Sequence, residues 1–228
     1  MDLGQLQRIS DTAWRLPPSG KMRVPVVIYA SRDLVSAMDD KASQSAYLEG
    51  QLLIAMPAMT DPRFERSVIY LCAHNAEGAM GLVVNKLFSE LDFEQLLSQL
   101  EITHSGHSPN LSIHFGGPVE SQRGFVLHTA EYVGKGTVVV DNHVALTATL
   151  DILEELANGS GPRSTMLALG YAGWGPGQLE DEISENAWLH APFEESLVFD
   201  QEVDTKWQRA LNSIGVDLST LSGTAGRA

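Results

Sequence analysis

The stretch that most narrows what this chain can become runs from Gly170 to Trp188, GYAGWGPGQLEDEISENAW. A run with the composition of a buried strand, STMLALGYA, feeds into Gly170, Gly173, Gly175, Pro176 and Gly177, set around Tyr171 and Trp174. Glycine permits backbone angles and close approaches that a side chain forbids. Loops held at the ends of rigid elements are where binding and catalysis concentrate. The acids Glu180, Asp181 and Glu182 follow at once, in QLEDEISEN, which predicts a short helix. Because glycines beside an aromatic allow close packing, Tyr171 and Trp174 are both expected to be at least partly buried against that helix.

A nucleotide-binding role for these glycines fails on spacing and on charge. The dinucleotide fingerprint needs a glycine where Gln178 stands, and a phosphate loop needs a closing Lys-Ser/Thr that is missing. A helix N-terminus attracts anions through its free N–H groups, but here acids already occupy the first turn. Those acids can instead be read as a pair for acid–base or metal chemistry. On a helix Glu180 and Glu182 stand two apart and diverge, so they pair only if the backbone is extended. First-turn acids favouring the helix dipole are the plainer account. The other account has one of them joining Tyr171, Trp174 and Gln178 in a polar pocket.

Charge narrows the partners. With 15 Lys+Arg against 29 Asp+Glu, the 228-residue chain carries a formal net charge of −14. No Lys or Arg falls between Arg163 and Lys206, while nine acids lie from Glu180 to Asp204. Duplex DNA is held through Lys/Arg contacts to phosphates, so direct nucleic-acid binding is not expected. The acidic stretch reads as a solvated face, or as a docking face for a basic partner or a metal. Hydrophobic residues, at 43%, supply a sizeable core, and no apolar run approaches the ~20 residues of a membrane helix. The single cysteine, Cys72, cannot form an internal disulfide and reads as a small buried residue of a cytoplasmic protein. Lys21 and Arg23 precede only VPVVIYA, without a convincing export cleavage site.

Residues 1–46 are polar, broken at Pro17-Pro18-Ser19-Gly20, with Met22 and Met38 as alternative starts to Met1. They predict a largely disordered extension, apart from one strand-like run, ahead of a single domain at 47–228. From Tyr47 the strand-like runs LEGQLLIAM, RSVIYLCAH and GAMGLVVN follow, the last two separated by the turn NAEG. Asp92 with Gln95 reads as a capping box, and Phe93, Leu96, Leu97 and Leu100 as the buried stripe of the helix it opens. LSIHF, RGFVLH and GTVVVD continue the strands. Leu146, Leu150, Leu153 and Ala157 stripe a second helix that ends at Asn158-Gly159. WLHA and SLVF read as late strands, and Val203, Trp207, Leu211 and Ile214 stripe a last helix ended by Gly215. Short links make antiparallel neighbours, while the helix between VVVD and TMLALG permits a parallel crossover. The class is α+β.

Few other motifs carry chemistry. His104 and His107 offer a zinc pair at most, and no H-x-x-x-H, C-x-x-C or G-x-S-x-G pattern exists. His74, His114 and His128 sit at strand ends, where a hydrogen-bonded structural histidine is the usual outcome. In TDPRFERSV, Asp61 and Arg66 read as a pair steadying a turn or as a substrate clamp, and Asn85 as a turn cap or a pocket residue.

The blocks LEGQLLIAMPAMTDPRFERSVIYLCAHNAEGAMGLVVNK, FGGPVE, RGFVLH and LGYAGWGPGQLEDEISENAW, in this order, resemble the YqgE/AlgH family of uncharacterised bacterial proteins. The leader before residue 47 departs from the family pattern. The resemblance implies one α+β domain whose mixed, largely antiparallel and bifurcated sheet curls into a pseudo-barrel with helices outside, in a bacterial cytosolic protein. It implies no reaction and no cofactor. The regulator label that some members carry finds no support here for direct DNA reading. By position the family's pattern falls on Asp61, Arg66, His74, Asn85, Tyr171, Trp174, Gln178, Glu180 and Glu182, and Asn186 closes the same loop. The leading reading is a non-enzymatic binding or regulatory protein with a pocket at the Gly170–Asn186 loop for a small ligand or a protein partner. The alternative is a hydrolase or metal-assisted enzyme using Glu180, Glu182 and a histidine. A DNA-binding transcriptional regulator stands third.

Overall fold

A computed structural model describes residues 47–103 and 109–216 of the chain. The expectations for residues 1–46, for His104 and His107 and for the tail lie outside the described residues. The strands are β1 (Leu52–Ala55), β2 (Val68–Asn75), β3 (Gly78–Val83), β4 (Ile113–Phe115), β5 (Val119–Thr129), β6 (Thr137–Val139), β7 (Val144–Thr147), β8 (Thr165–Trp174) and β9 (Trp188–Ala191). The helices are α1 (Phe93–Gln99), α2 (Leu150–Ala157), α3 (Gln178–Ser184), α4 (Glu195–Phe199) and α5 (Val203–Ser213). One sheet joins all nine strands in the order β6-β7-β5-β8-β3-β2-β1-β9, with β4 also on β8. Every pairing is antiparallel except that of β4 with β8. The sheet curls strongly into a half-barrel, as the α+β reading expected.

β8 is the strand that forks the sheet. β5 runs along one side of it, pairing Phe125 with Ala168 and Val119 with Tyr171. On its other side β4 pairs with residues up to Leu169, and β3 takes over from Ala172. Gly116 sits at the fork, donating its N–H to the Leu169 carbonyl and accepting that of Val83, each at 2.8 Å. Only bare backbone fits there. A Cβ on Gly116 would lie 2.3 Å from the Gly170 carbonyl oxygen, and one on Gly170 2.3 Å from that of Gly117.

Gly170 also reverses the pleat. Its φ of +72° is a left-handed conformation that costs an L residue roughly 1–2 kcal/mol. Before it, Met166 and Ala168 face one large core, and Leu167 and Leu169 face a second core under α1 and α2. After it, Tyr171 packs on the first core, while Ala172 and Trp174 enter a third core with Leu179 of α3 and Trp188. Strand alternation alone would have put Tyr171 on the opposite face.

Local signals explain most of the elements. Asp92 accepts the Gln95 N–H at 2.8 Å and Gln95 returns the bond at 3.1 Å, so the capping box opens α1 as its sequence predicts. Phe93, Leu96 and Leu97 are its buried face. Two expectations need correction. Leu146 belongs to β7, paired with Leu127, and α2 buries Ile152, Leu153, Leu156 and Ala157 while Leu150 is exposed. The four-residue spacing of Leu146 and Leu150 spans a strand–helix junction at Thr149, so it is not one helical face. SLVF is not a strand but part of α4, where the Val198 and Asp200 N–H groups return to the Glu194 and Ser196 carbonyls.

The core also holds basic side chains. Lys206 is fully buried, donating to the Val198 carbonyl at 2.9 Å and the Val84 carbonyl at 3.2 Å. Burial pushes its ammonium down to about 8, against the opposing pull of Asp200. His128 bonds Thr129 and Thr147 as a structural histidine should, but neither ring nitrogen of buried His114 finds a well-aligned partner among the described residues, the backbone at Leu167 and Ser112 only partly opposing its shift. Burial first, and the Lys206 charge second, lower His114 from 6.5 to about 4.

Two measurements check this account. Gly170→Ala should cost about 3 kcal/mol or more in urea unfolding, because strain and collision add. Gly159→Ala, at φ +74° with open space around it, should cost only about 1–2 kcal/mol. Between pH 6.5 and 4 the unfolded chain takes up a proton that folded His114 refuses, so stability falls with pH across that window, by about 3 kcal/mol for this group. His114→Leu should flatten that slope.

Candidate functional site

The segment after Gly170 folds by tying its own polar groups together. Gly177, at φ +73°, precedes α3, and Gln178 reaches back to accept the Gly175 N–H at 3.0 Å. One turn on, Glu182 becomes the hub. Its Oε2 accepts both indole N–H groups, Trp174 at 2.9 Å and Trp188 at 2.8 Å, and its Oε1 accepts the Gln178 amide at 2.8 Å. The two indoles meet edge to face with centroids 5.9 Å apart, and Phe64 packs on Trp188 in the same manner at 5.7 Å. Trp174 is therefore buried against α3, as expected. Tyr171 is not, because the Gly170 reversal sends it to the other face, against Phe125 at 5.9 Å.

Glu180 points elsewhere. His74 is buried on β2, its Nδ1 accepting the Leu48 N–H at 3.0 Å. That leaves the proton on Nε2, which donates to Glu180 Oε1 at 3.0 Å. The bond staples the start of the described domain to α3, with the Tyr47 ring edge-on to the imidazole at 5.1 Å. Asn186 ends α3 at φ +59°, its N–H returning to Ile183 and that of Ala187 to Glu182. It is a helix-terminating residue, not a pocket wall.

Asp61, Arg66 and Asn85 gather in another place. Asp61 pairs with Arg63, not Arg66, at 2.6 Å, and that pairing holds the Asp61 carboxyl below its ordinary value. Asn85 accepts the Val68 N–H and donates to the Arg66 carbonyl, both at 2.8 Å. The candidate residues thus fall into three groups: Trp174–Glu182–Gln178 with His74–Glu180, the Arg66–Asn85 corner with Asp61, and Tyr171, which meets Trp174 only across a shared cleft. Among the described residues no group of three or more His, Cys, Asp and Glu could hold a metal ion, and no helix is long and apolar enough to cross a membrane.

Tyr171 lines a cleft of about 440 Å³ with Asn75, Glu77, Met80, Val119 and Trp174, floored by Gly78 and Gly173. It opens where β8 passes from β5 to β3. Burial, and then the Glu120 carboxylate, raise the Tyr171 phenol above its ordinary value, so it keeps its proton. Its hydroxyl donates no hydrogen bond to any described residue. Sequence reasoning missed Trp188 as the second donor to Glu182. The i, i+6 interval from Glu182 to Trp188 runs from a helix into a strand and has no period to betray it.

Comparison with known proteins bears on this geometry. Residues 52–219 match the sequence profile of a family described as AlgH-like. A UPF0301 protein of Afipia carboxidovorans is 52% identical over 204 residues, covering 85% of this chain and 97% of that protein. One from Bradyrhizobium diazoefficiens is 53% identical over 194 residues, covering 82% and 91%. The solution structure of the AlgH protein from Pseudomonas aeruginosa superposes with a TM-score of 0.66 at 40% identity, covering 82% of this chain and all of that one. A crystal structure from Corynebacterium diphtheriae, at 22% identity and a TM-score of 0.62, shares the fold.

Replacing Glu182 tests its place as the hub. Glu182→Ala should cost about 3 kcal/mol, since two indole donors lose a charged acceptor, and should shift the tryptophan emission. Glu180→Ala removes a half-exposed partner but leaves the buried His74 Nε2–H without its acceptor, and should cost about 1–2 kcal/mol, less than the loss of the two-indole hub. Equal costs would refute the division of labour.

Proposed function

Because the chain belongs to the AlgH-like family, whose blocks imply a fold and no reaction, we propose that it acts by binding, with the Tyr171 cleft as its ligand site. One observation carries this reading. The groups an acid–base reaction would recruit are committed elsewhere, Glu182 to two indoles and Glu180 to His74, while the cleft keeps a protonated phenol that donates to no described residue. A pocket that is mostly apolar with a few directed polar groups is the usual form of a small-molecule site. Met80, Val119, Trp174 and Tyr171 supply the apolar wall here, and the Tyr171 hydroxyl, Asn75 and Glu77 the polar positions. The ligand class is a small, largely apolar molecule bearing a hydrogen-bond acceptor.

This reading deepens the expectation of a site at the Gly170–Asn186 loop by moving it to the face Tyr171 occupies. It also places the protein in a reducing cytoplasm, where the one thiol, Cys72, stays buried, with its pKa pushed up by burial. Any regulatory role runs through a ligand or a protein partner, since the acidic surface repels duplex DNA.

A fragment screen by NMR on the full chain tests the site. Hits should shift the Val119, Met80 and Gly173 signals, and Tyr171→Phe, which keeps the ring and removes the hydroxyl, should weaken them roughly tenfold. Fragments that bind only elsewhere, or that ignore the loss of the hydroxyl, would overturn the assignment.

A further inference from the structure

A second cleft, of about 480 Å³, lies where the loop before β2 meets α5, lined by Arg66, Asn85, Lys86, Trp207 and Gln208 together with the carboxylates of Glu65 and Asp204. We propose that this cleft is a binding site for a small monocarboxylate, gripped between Arg66 and Lys86.

Arg66 is built as a presented cation. Its guanidinium lies over the Trp207 ring, 5.6 Å from the centroid, and pairs with no carboxylate among the described residues. The indole cannot turn away, because its N–H is fixed to the Ala55 carbonyl at 2.8 Å. The ring contact leaves the guanidinium N–H groups without a hydrogen-bond partner among the described residues, and a guanidinium fork takes a carboxylate with two parallel bonds. The Arg66 backbone is held at φ +52°, a conformation uncommon in non-glycine residues, and one that persists where the surroundings over-determine it. Asn85 does the determining, bonded at once to the Arg66 carbonyl and the Val68 N–H. Nothing in the turn itself requires arginine.

Lys86 is aimed by a second set of contacts. Its ammonium donates to the Arg63 carbonyl at 2.8 Å, and Asp61 brackets Arg63 through backbone and side chain. The remaining ammonium protons have no partner among the described residues. Gln208 adds an amide that can donate or accept. The same set discriminates by charge: Glu65 and Asp204 share the cleft, and the chain as a whole carries −14. A dianionic phosphate meets that repulsion twice over, and a single carboxylate meets it once. The carboxylate can belong to a free metabolite or to the C-terminus of a peptide.

The test is a titration of the ¹⁵N-labelled full chain, followed through the side-chain amides of Asn85 and Gln208 and the Trp207 indole N–H. The probes are benzoate, benzamide, inorganic phosphate and a short peptide with a free or an amidated C-terminus. Benzoate or the free-acid peptide should move these signals, and the neutral amides should not. A stronger response to the peptide identifies a chain terminus as the source, and a stronger response to benzoate a metabolite. Arg66→Gly keeps the left-handed backbone without its strain, so it should fold at least as stably and bind at least about tenfold more weakly. Arg66→Lys, a point charge without the fork, should fall between. No response to either carboxylate at millimolar concentration, an equal response to benzamide, tighter binding of phosphate, or undiminished binding by Arg66→Gly would each overturn the proposal.

Discussion

Backbone meets backbone where Gly116 and Gly117 cross Gly170, with no room for a side chain between them. A forked sheet needs one strand that serves two neighbours on the same side, and the space at the fork is too small for a Cβ. The crossing supplies that space. The same crossing rotates β8, so that one strand feeds three cores in turn. The candidate cleft depends on it as well. If β8 kept its alternation, Tyr171 would turn to the opposite face of the sheet and the cleft would lose its phenol.

Around this fork the polar residues do structural work of a kind usually left to apolar packing. Glu182 holds two tryptophans from different strands by a single carboxylate oxygen. His74 fastens the first described residues to the first turn of α3. Each is a charge-assisted or buried bond in a low-dielectric setting, where a satisfied group stabilises and an orphaned one costs heavily. This explains why acids follow the glycines so closely. They are the adhesive of α3, and the helix is too short to hold itself in place.

Much of this was legible beforehand, wherever the signal was local. The Asp92–Gln95 box and the Asn158-Gly159 stop rest on contacts within a few residues and stand where the sequence puts them. Of the last stripe, Trp207 and Leu211 are buried and Val203 and Ile214 only half-buried. The strand positions and the α+β class followed from composition and turns. The errors came where spacing coincided across a junction, as with Leu146 and Leu150, or where pattern alone could not separate a short helix from a strand, as with SLVF. The site was legible as a set of residues and not as a place. Asp61, Arg66 and Asn85 come together because β2 and β3 pair, and Trp207 joins them from far along the chain. No interval in the sequence encodes that meeting.

The central position of β8 has a consequence for how the chain is made. β2 and β3 can pair through their own turn as soon as both are synthesised, since their contacts are local. β3 then presents an open edge to solution until β8, encoded late, arrives to cover it. Sheets closed by such distant partners fold slowly, and an uncovered apolar edge recruits other chains. The nascent protein therefore passes through a stage in which its most buried strands are its most adhesive surface. Fast synthesis of the segment between them, or a chaperone that shields β3, shortens that exposure.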